Sequence, residues 1–196
     1  MDATAERPSG LVLIGGGARS GKSAFALARA RAAGQRRAYI ATAEPGDGEM
    51  RDRIARHRAE RAGDGFVTIE EPLDLAGALR RSAPHDVVVV DCLTLWLSNR
   101  LLRNEPAEDV LARLGEALDA PRAPIAIVVT NEVGLGIVPE NALARSFRDL
   151  CGRAHQQLVA TADEVHMAFL GIVLRVRPAP IVESWPGSPV SGNGAR

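Results

Sequence analysis

The sequence predicts an α/β fold, a mostly parallel sheet flanked by helices on both faces, and three observations carry the prediction. Short apolar runs alternate with helix-forming stretches along most of the chain, as in successive βαβ units. One run, Val87–Val90 before Asp91, is four consecutive valines, the pattern of a strand buried on both faces. The first apolar run feeds directly into a glycine-rich loop that opens a helix.

Taken in order, Leu11–Gly15 reads as the first strand, and Lys22–Gly34 as a helix rich in good helix formers and stopped by glycine. Arg37–Ala43 is a second strand. The Pro/Gly/Asp segment after it breaks the chain, and Glu49–Gly63 is again helical up to a glycine. Gly65–Pro72 holds a third strand, Leu73–Pro84 a helix with a proline stop, and His85–Asp91 the fourth strand. Cys92–Asn104 is helical and apolar, and Pro106–Ala120 is a helix with proline near its first turn. Ala123–Glu132 holds a fifth strand. The longest helix runs to Ala162 and is opened by Pro139 and Glu140. Asp163–Val176 closes the folded region, either as one long strand or as two strands bent at Gly171. Residues 1–10 read as a flexible polar extension, 11–176 as the domain, and the Pro/Gly/Ser-rich residues 177–196 as an irregular tail.

Composition narrows the function. Apolar residues make up 46% of the 196, enough for a buried core, so one substantial domain is expected. Formal net charge is zero, which gives no electrostatic case for nucleic acid or an anionic membrane as main partner. No apolar run reaches the roughly 20 residues of a bilayer span, and the N-terminus lacks the basic and apolar regions of a signal peptide. A cytoplasmic protein is expected. Cys92 and Cys151 have no metal-ligand spacing and read as buried free thiols.

The chemistry concentrates in Gly16-Gly17-Ala18-Arg19-Ser20-Gly21-Lys22-Ser23, a full match to G-x-x-x-x-G-K-[ST] between a strand and a helix. Glycines let backbone N–H groups converge on phosphate oxygens, and the helix N-terminus adds positive potential. Lys22 can reach the β- and γ-phosphates, and Ser23 can offer its hydroxyl to Mg²⁺. Asp91, ending a buried strand, is placed as the carboxylate that holds Mg²⁺ directly or through water. Asn131 and Glu132 lie just past another strand end, before Gly134 and Gly136, where a loop can approach a ligand or simply connect strand to helix. Thr42 either lines the same edge or is an ordinary strand residue.

A further stretch, Arg51–Arg61, sets His57 among five arginines. The residues alone leave three readings open: a solvated surface imidazole, an anion contact, or a nucleophile. On a helix, Arg53 and Arg61 share a face with His57, and Arg56 and Arg58 flank it in sequence. Guanidinium groups so placed can bind a triphosphate and favour the neutral, nucleophilic imidazole. The remaining histidines are assigned to a loop (His85), the long helix (His155) and the last strand (His166), away from the phosphate loop.

In order, GGARSGKS, YIATAE, EMRDRIARHRAER, VVVVDCLTLWLSN, VTNEVGLGIVPEN and GIVLRV resemble the bifunctional adenosylcobinamide kinase/adenosylcobinamide-phosphate guanylyltransferase family, over about Leu11–Val176. The resemblance implies a RecA-like P-loop fold and a homotrimer. It implies phosphorylation of adenosylcobinamide by ATP or GTP, then GMP transfer from GTP through a covalent histidine. The matching residue is His57. Some relatives carry two adjacent histidines there; this chain has Arg56 before the single one. Against this stand a P-loop small-molecule kinase without nucleotidyl transfer, which leaves His57 idle, and a RecA-like ATPase acting on a macromolecule, which the charge balance disfavours.

Overall fold

The structure, a computed structural model, describes residues 10–46, 48–179 and 181–183. The chain runs β1 (Gly10–Gly16), α1 (Lys22–Ala33), β2 (Arg37–Ala41), α2 (Gly48–Arg61), β3 (Phe66–Glu70), α3 (Leu75–Ser82) and β4 (Val87–Asp91). It continues α4 (Leu93–Leu101), α5 (Ala107–Asp119), β5 (Ile125–Val129), α6 (Ala142–Thr161), β6 (Glu164–Phe169), β7 (Ile172–Arg177) and β8 (Ile181–Glu183). The sheet order is β3-β2-β4-β5-β1-β6-β7-β8. All pairings from β3 to β6 are parallel, and β7 and β8 close the edge antiparallel.

The strands alternate between two cores, as the two-residue period of a pleated strand requires. Leu11, Leu13, Ala38, Ile40, Val88 and Val90 face α3, α4, α5 and α6. Val12, Ile14, Tyr39, Val87, Val89 and Ile127 face the other way, where α1 supplies Phe25, Ala26, Leu27 and Ala30. The four valines of β4 are thus divided between both faces and are at most 1% exposed. That burial explains why β4 has no polar alternation.

Helix starts follow local chemistry. Asp74 accepts from Gly77 N–H at 2.8 Å to cap α3. Asn141 accepts from Leu143 and Ala144 to cap α6, so that helix begins at Ala142 and not at Pro139. The side-chain cap sets the boundary more firmly than the proline does. The closing segment is two strands: Leu170 and Gly171, with φ of 52° and 82°, turn β6 back into β7. The tail read as irregular contributes β8, since an Ile-Val-Glu run suits pairing with the open edge of β7. The extension at 1–9 and the end of the tail at 184–196 lie outside the described residues.

Candidate active site

The parallel strands converge their C-terminal ends on one edge, where α/β sheets place their ligands. β1 delivers the phosphate loop. Gly16 must be glycine: a Cβ there would stand 2.6 Å from Ala168 O and 2.7 Å from Ser20 Oγ. Gly21 takes φ 94° at the N-cap of α1, a conformation glycine adopts without strain. Lys22 Nζ lies across the loop and donates to Gly17 O at 2.9 Å. Gly17, Ala18 and Arg19 are exposed, Ser20 is buried, and Ser23 is half-buried on the first turn. The β6–β7 turn braces the loop from behind, with Gly171 N–H donating to Ser20 O at 3.2 Å.

Asp91 ends β4 two strands away, across β5. Its Oδ2 accepts from Tyr39 Oη at 2.8 Å. Burial, and then the Asp91 charge, raise the Tyr39 phenol well above its ordinary range, so it remains a donor. The ring of Tyr39 carries the Arg61 guanidinium stacked 3.6 Å from its centroid. Arg61 in turn donates to His57 O at 2.7 Å. One turn of α2 is thereby fixed over the end of β4, and His57 Nδ1 stands 3.9 Å from Asp91 Oδ2. His57, Tyr39, Asp91, Arg58 and Ile54 line one opening.

The structure places the other expected site residues as follows. Arg61 is 6% exposed, stacked on Tyr39 and bonded to the helix backbone, and it lines the same opening as His57. Thr42 is fully buried; its hydroxyl donates to Cys92 O at 2.8 Å and accepts from Cys92 N–H at 2.9 Å. It ties the end of β2 to the chain just beyond Asp91. Arg58 is exposed at the opening and pairs with Glu70, and Arg56 is exposed. The Arg53 side chain lies outside the described residues.

On the other side of β5, Asn131 donates to Thr94 Oγ1 at 2.8 Å. Glu132 is tied to the phosphate loop: its N–H donates to Gly16 O at 3.0 Å. Its Oε1 accepts from Gly134 N–H at 2.5 Å. His155, assigned by sequence to the helix away from the site, reaches it: its Nε2 lies 2.7 Å from Thr130 Oγ1 and its Nδ1 3.8 Å from Glu132 Oε2. The missed signal was spacing. His155 follows buried Cys151 by four residues and so falls on the inner side of α6.

Among the described residues no three His, Cys, Asp or Glu side chains cluster into a protein-only metal centre. The donors present suit a shared site instead. Asp91 accepts from Tyr39 through Oδ2, which leaves Oδ1, and the Ser23 hydroxyl sits at the helix start. One carboxylate, one hydroxyl and phosphate oxygens are the hard oxygen set that Mg²⁺ takes.

A parallel sheet with a glycine-rich loop, a lysine and a strand-end carboxylate defines a P-loop nucleotide-binding enzyme. The RadB recombinase shares 20% identity over 90% of this chain and 86% of its own, with a TM-score of 0.51. A type III secretion ATPase superposes with a TM-score of 0.53 at 13% identity, over 81% of this chain and 50% of that one. At such identities these likenesses concern the fold alone, which is RecA-like. The family described as cobinamide kinase / cobinamide phosphate guanyltransferase matches residues 12–176, and the chain belongs to it. The bifunctional adenosylcobalamin biosynthesis protein CobP of Pseudomonas aeruginosa is 43% identical, covering 86% of this chain and 98% of that protein. CobU of Salmonella typhimurium is 39% identical, covering 85% and 99%. No helix among the described residues is long and apolar enough to cross a membrane.

Proposed function

We propose that this enzyme phosphorylates the hydroxyl of adenosylcobinamide with ATP or GTP, then transfers GMP from GTP to the new phosphate through His57. The observation that carries the reading is the approach of His57 Nδ1 to Asp91 Oδ2, 3.9 Å, at the edge that bears the phosphate loop. With Nδ1 turned to a carboxylate, Nε2 is the attacking atom. In the first reaction the acceptor oxygen bonds to the γ-phosphorus and the nucleoside diphosphate leaves. In the second, His57 Nε2 bonds to the α-phosphorus of GTP and pyrophosphate leaves. The phosphate of adenosylcobinamide phosphate then displaces His57, giving adenosylcobinamide-GDP.

The chain's own groups have distinct parts. The loop N–H groups and Lys22 hold phosphate oxygens, and the exposed Arg56 and Arg58 lie on the helix that would meet the triphosphate. Arg61 and Tyr39 hold His57 and Asp91 in register. Mg²⁺, held by Ser23, Asp91 and the phosphates, would offset the charge of the triphosphate. A kinase without nucleotidyl transfer has no use for a histidine braced in this way. The assembly that accompanies this reading is a homotrimer, three times the 20.8 kDa chain, measurable by light scattering.

Incubation with α-labelled GTP and Mg²⁺ tests the proposal. A label that survives alkali, is lost in acid and maps to His57 is expected. Full labelling of a His57→Ala variant would remove His57 as the carrier.

A further inference from the structure

Two histidine–carboxylate approaches flank β5, and the reading above uses only one. His57 faces Asp91 past β4 at 3.9 Å, and His155 faces Glu132 past β5 at 3.8 Å. Their positions differ with respect to the phosphates. β5 pairs directly with β1, with Val129 opposite Ile14, so the loop after it lies one strand spacing, about 4.8 Å, from the strand that feeds the phosphate loop. Asp91 is twice as far across the sheet. Glu132 is also bonded to the phosphate loop through its own N–H and Gly16 O.

The second pair is built from behind. Thr130 is 2% exposed and donates its N–H to Ile14 O at 2.9 Å, which fixes its hydroxyl at the sheet edge. That hydroxyl meets His155 Nε2 at 2.7 Å. Burial lowers the His155 pKa, and the Glu132 charge only partly opposes it, so the ring is neutral at neutral pH. The Glu132 charge, 3.8 Å from Nδ1, favours the tautomer with its proton on Nδ1, and Nε2 then accepts from the Thr130 hydroxyl at 2.7 Å. Glu132 Oε1 is already held by Gly134. One oxygen of this carboxylate is thus fixed by the backbone and the other points toward the His155 ring, an orientation suited to a proton acceptor.

We propose that Glu132 is the general base of the phosphoryl-transfer reaction and that His155, held by Thr130, is its positioning residue. The two reactions then use separate histidine–carboxylate pairs on one nucleotide edge. Glu132 takes the proton of the acceptor hydroxyl as that oxygen bonds to the γ-phosphorus. The bond from the γ-phosphorus to the β,γ-bridging oxygen breaks, the nucleoside diphosphate leaves with the electron pair, and the proton passes from Glu132 to solvent. This assignment rests on the kinase activity proposed above.

The full-length enzyme is assayed in two halves: phosphorylation of adenosylcobinamide, and GMP transfer to adenosylcobinamide phosphate supplied ready-made. In Glu132→Gln, which retains an acceptor for Gly134 N–H, kcat of phosphorylation should fall on the order of 100-fold relative to GMP transfer. The KM for the nucleotide should change little. His155→Gln, which leaves the carboxylate but loosens its orientation, should lower the same ratio about tenfold. Phosphorylation by Glu132→Gln within about threefold of wild type overturns the assignment. So does a proportional loss of both halves in both variants, which marks a structural role. A wild-type enzyme that performs neither half sinks the proposed function itself, whatever the variants do.

Discussion

Replacing Tyr39 by phenylalanine isolates the contact that holds Asp91. The ring is 3% exposed, so phenylalanine fills the same space, keeps the stack with Arg61 and leaves no cavity. What is lost is one hydrogen bond of 2.8 Å to a carboxylate. Bonds to charged groups contribute about 1.5–3 kcal/mol. The Asp91 side chain is 10% exposed and can recover some of this from water, so about 1.5–2 kcal/mol is expected. For a domain of this size that lowers Tm by roughly 3–8 °C. The freed carboxylate also ceases to orient His57, and a comparable energy at the reacting centre slows GMP labelling on the order of tenfold. Thermal melts and the rate of labelling from α-labelled GTP measure the two effects on one preparation. An unchanged Tm together with an unchanged labelling rate would refute the claim that Tyr39 positions Asp91.

The Asp86 carboxylate is held down at about 2 by Arg36, its side chain first and then its backbone N–H. Because this lies below the unfolded value of about 3.9, its contribution is complete above that pH and is lost as pH falls through 2. Asp86→Asn should therefore unfold at lower urea than wild type at pH 7, with the gap narrowing from about pH 4 and nearly gone by about pH 2; a gap constant down to about pH 2.5 counts against it. Burial pushes the Cys92 thiol to about 11 and the Cys151 thiol to about 12, so neither should react with a thiol reagent at pH 8 until urea unfolds the chain. Leu114, 1% exposed between the sheet and α5, should cost about 2–5 kcal/mol when cut to alanine, seen as a lower urea midpoint with activity retained at low temperature.

Much of the site's chemistry was readable because it is local in sequence. The phosphate loop is eight consecutive residues, and Asp91 is marked by the valines before it. What could not be read is which side chains meet across the sheet. His57 and Asp91 are 34 positions apart and join only because β2 and β4 pair in register, Ala41 opposite Asp91. The same limit hides other contacts. Arg61 shares a face with His57, and that face also packs on Tyr39, which the spacing alone does not show. Thr42 sits at a strand end, but a second strand end covers it. His155 was discounted as a helix residue, although four positions from Cys151 is an inward-facing place on α6. The fold was legible because periodicity reports burial directly; partner choice between elements depends on strand order, which periodicity does not carry.

The position of β1 governs when the site can exist. It is the first strand of the chain, yet its neighbours are β5 and β6, and the brace on Ser20 comes from Gly171. During synthesis at about 5–20 residues per second, roughly 7–30 s separate the phosphate loop from that brace. Nucleotide therefore cannot scaffold the early chain. The loop that binds it is among the first segments made and among the last to be finished, so nucleotide binding reports a completed sheet.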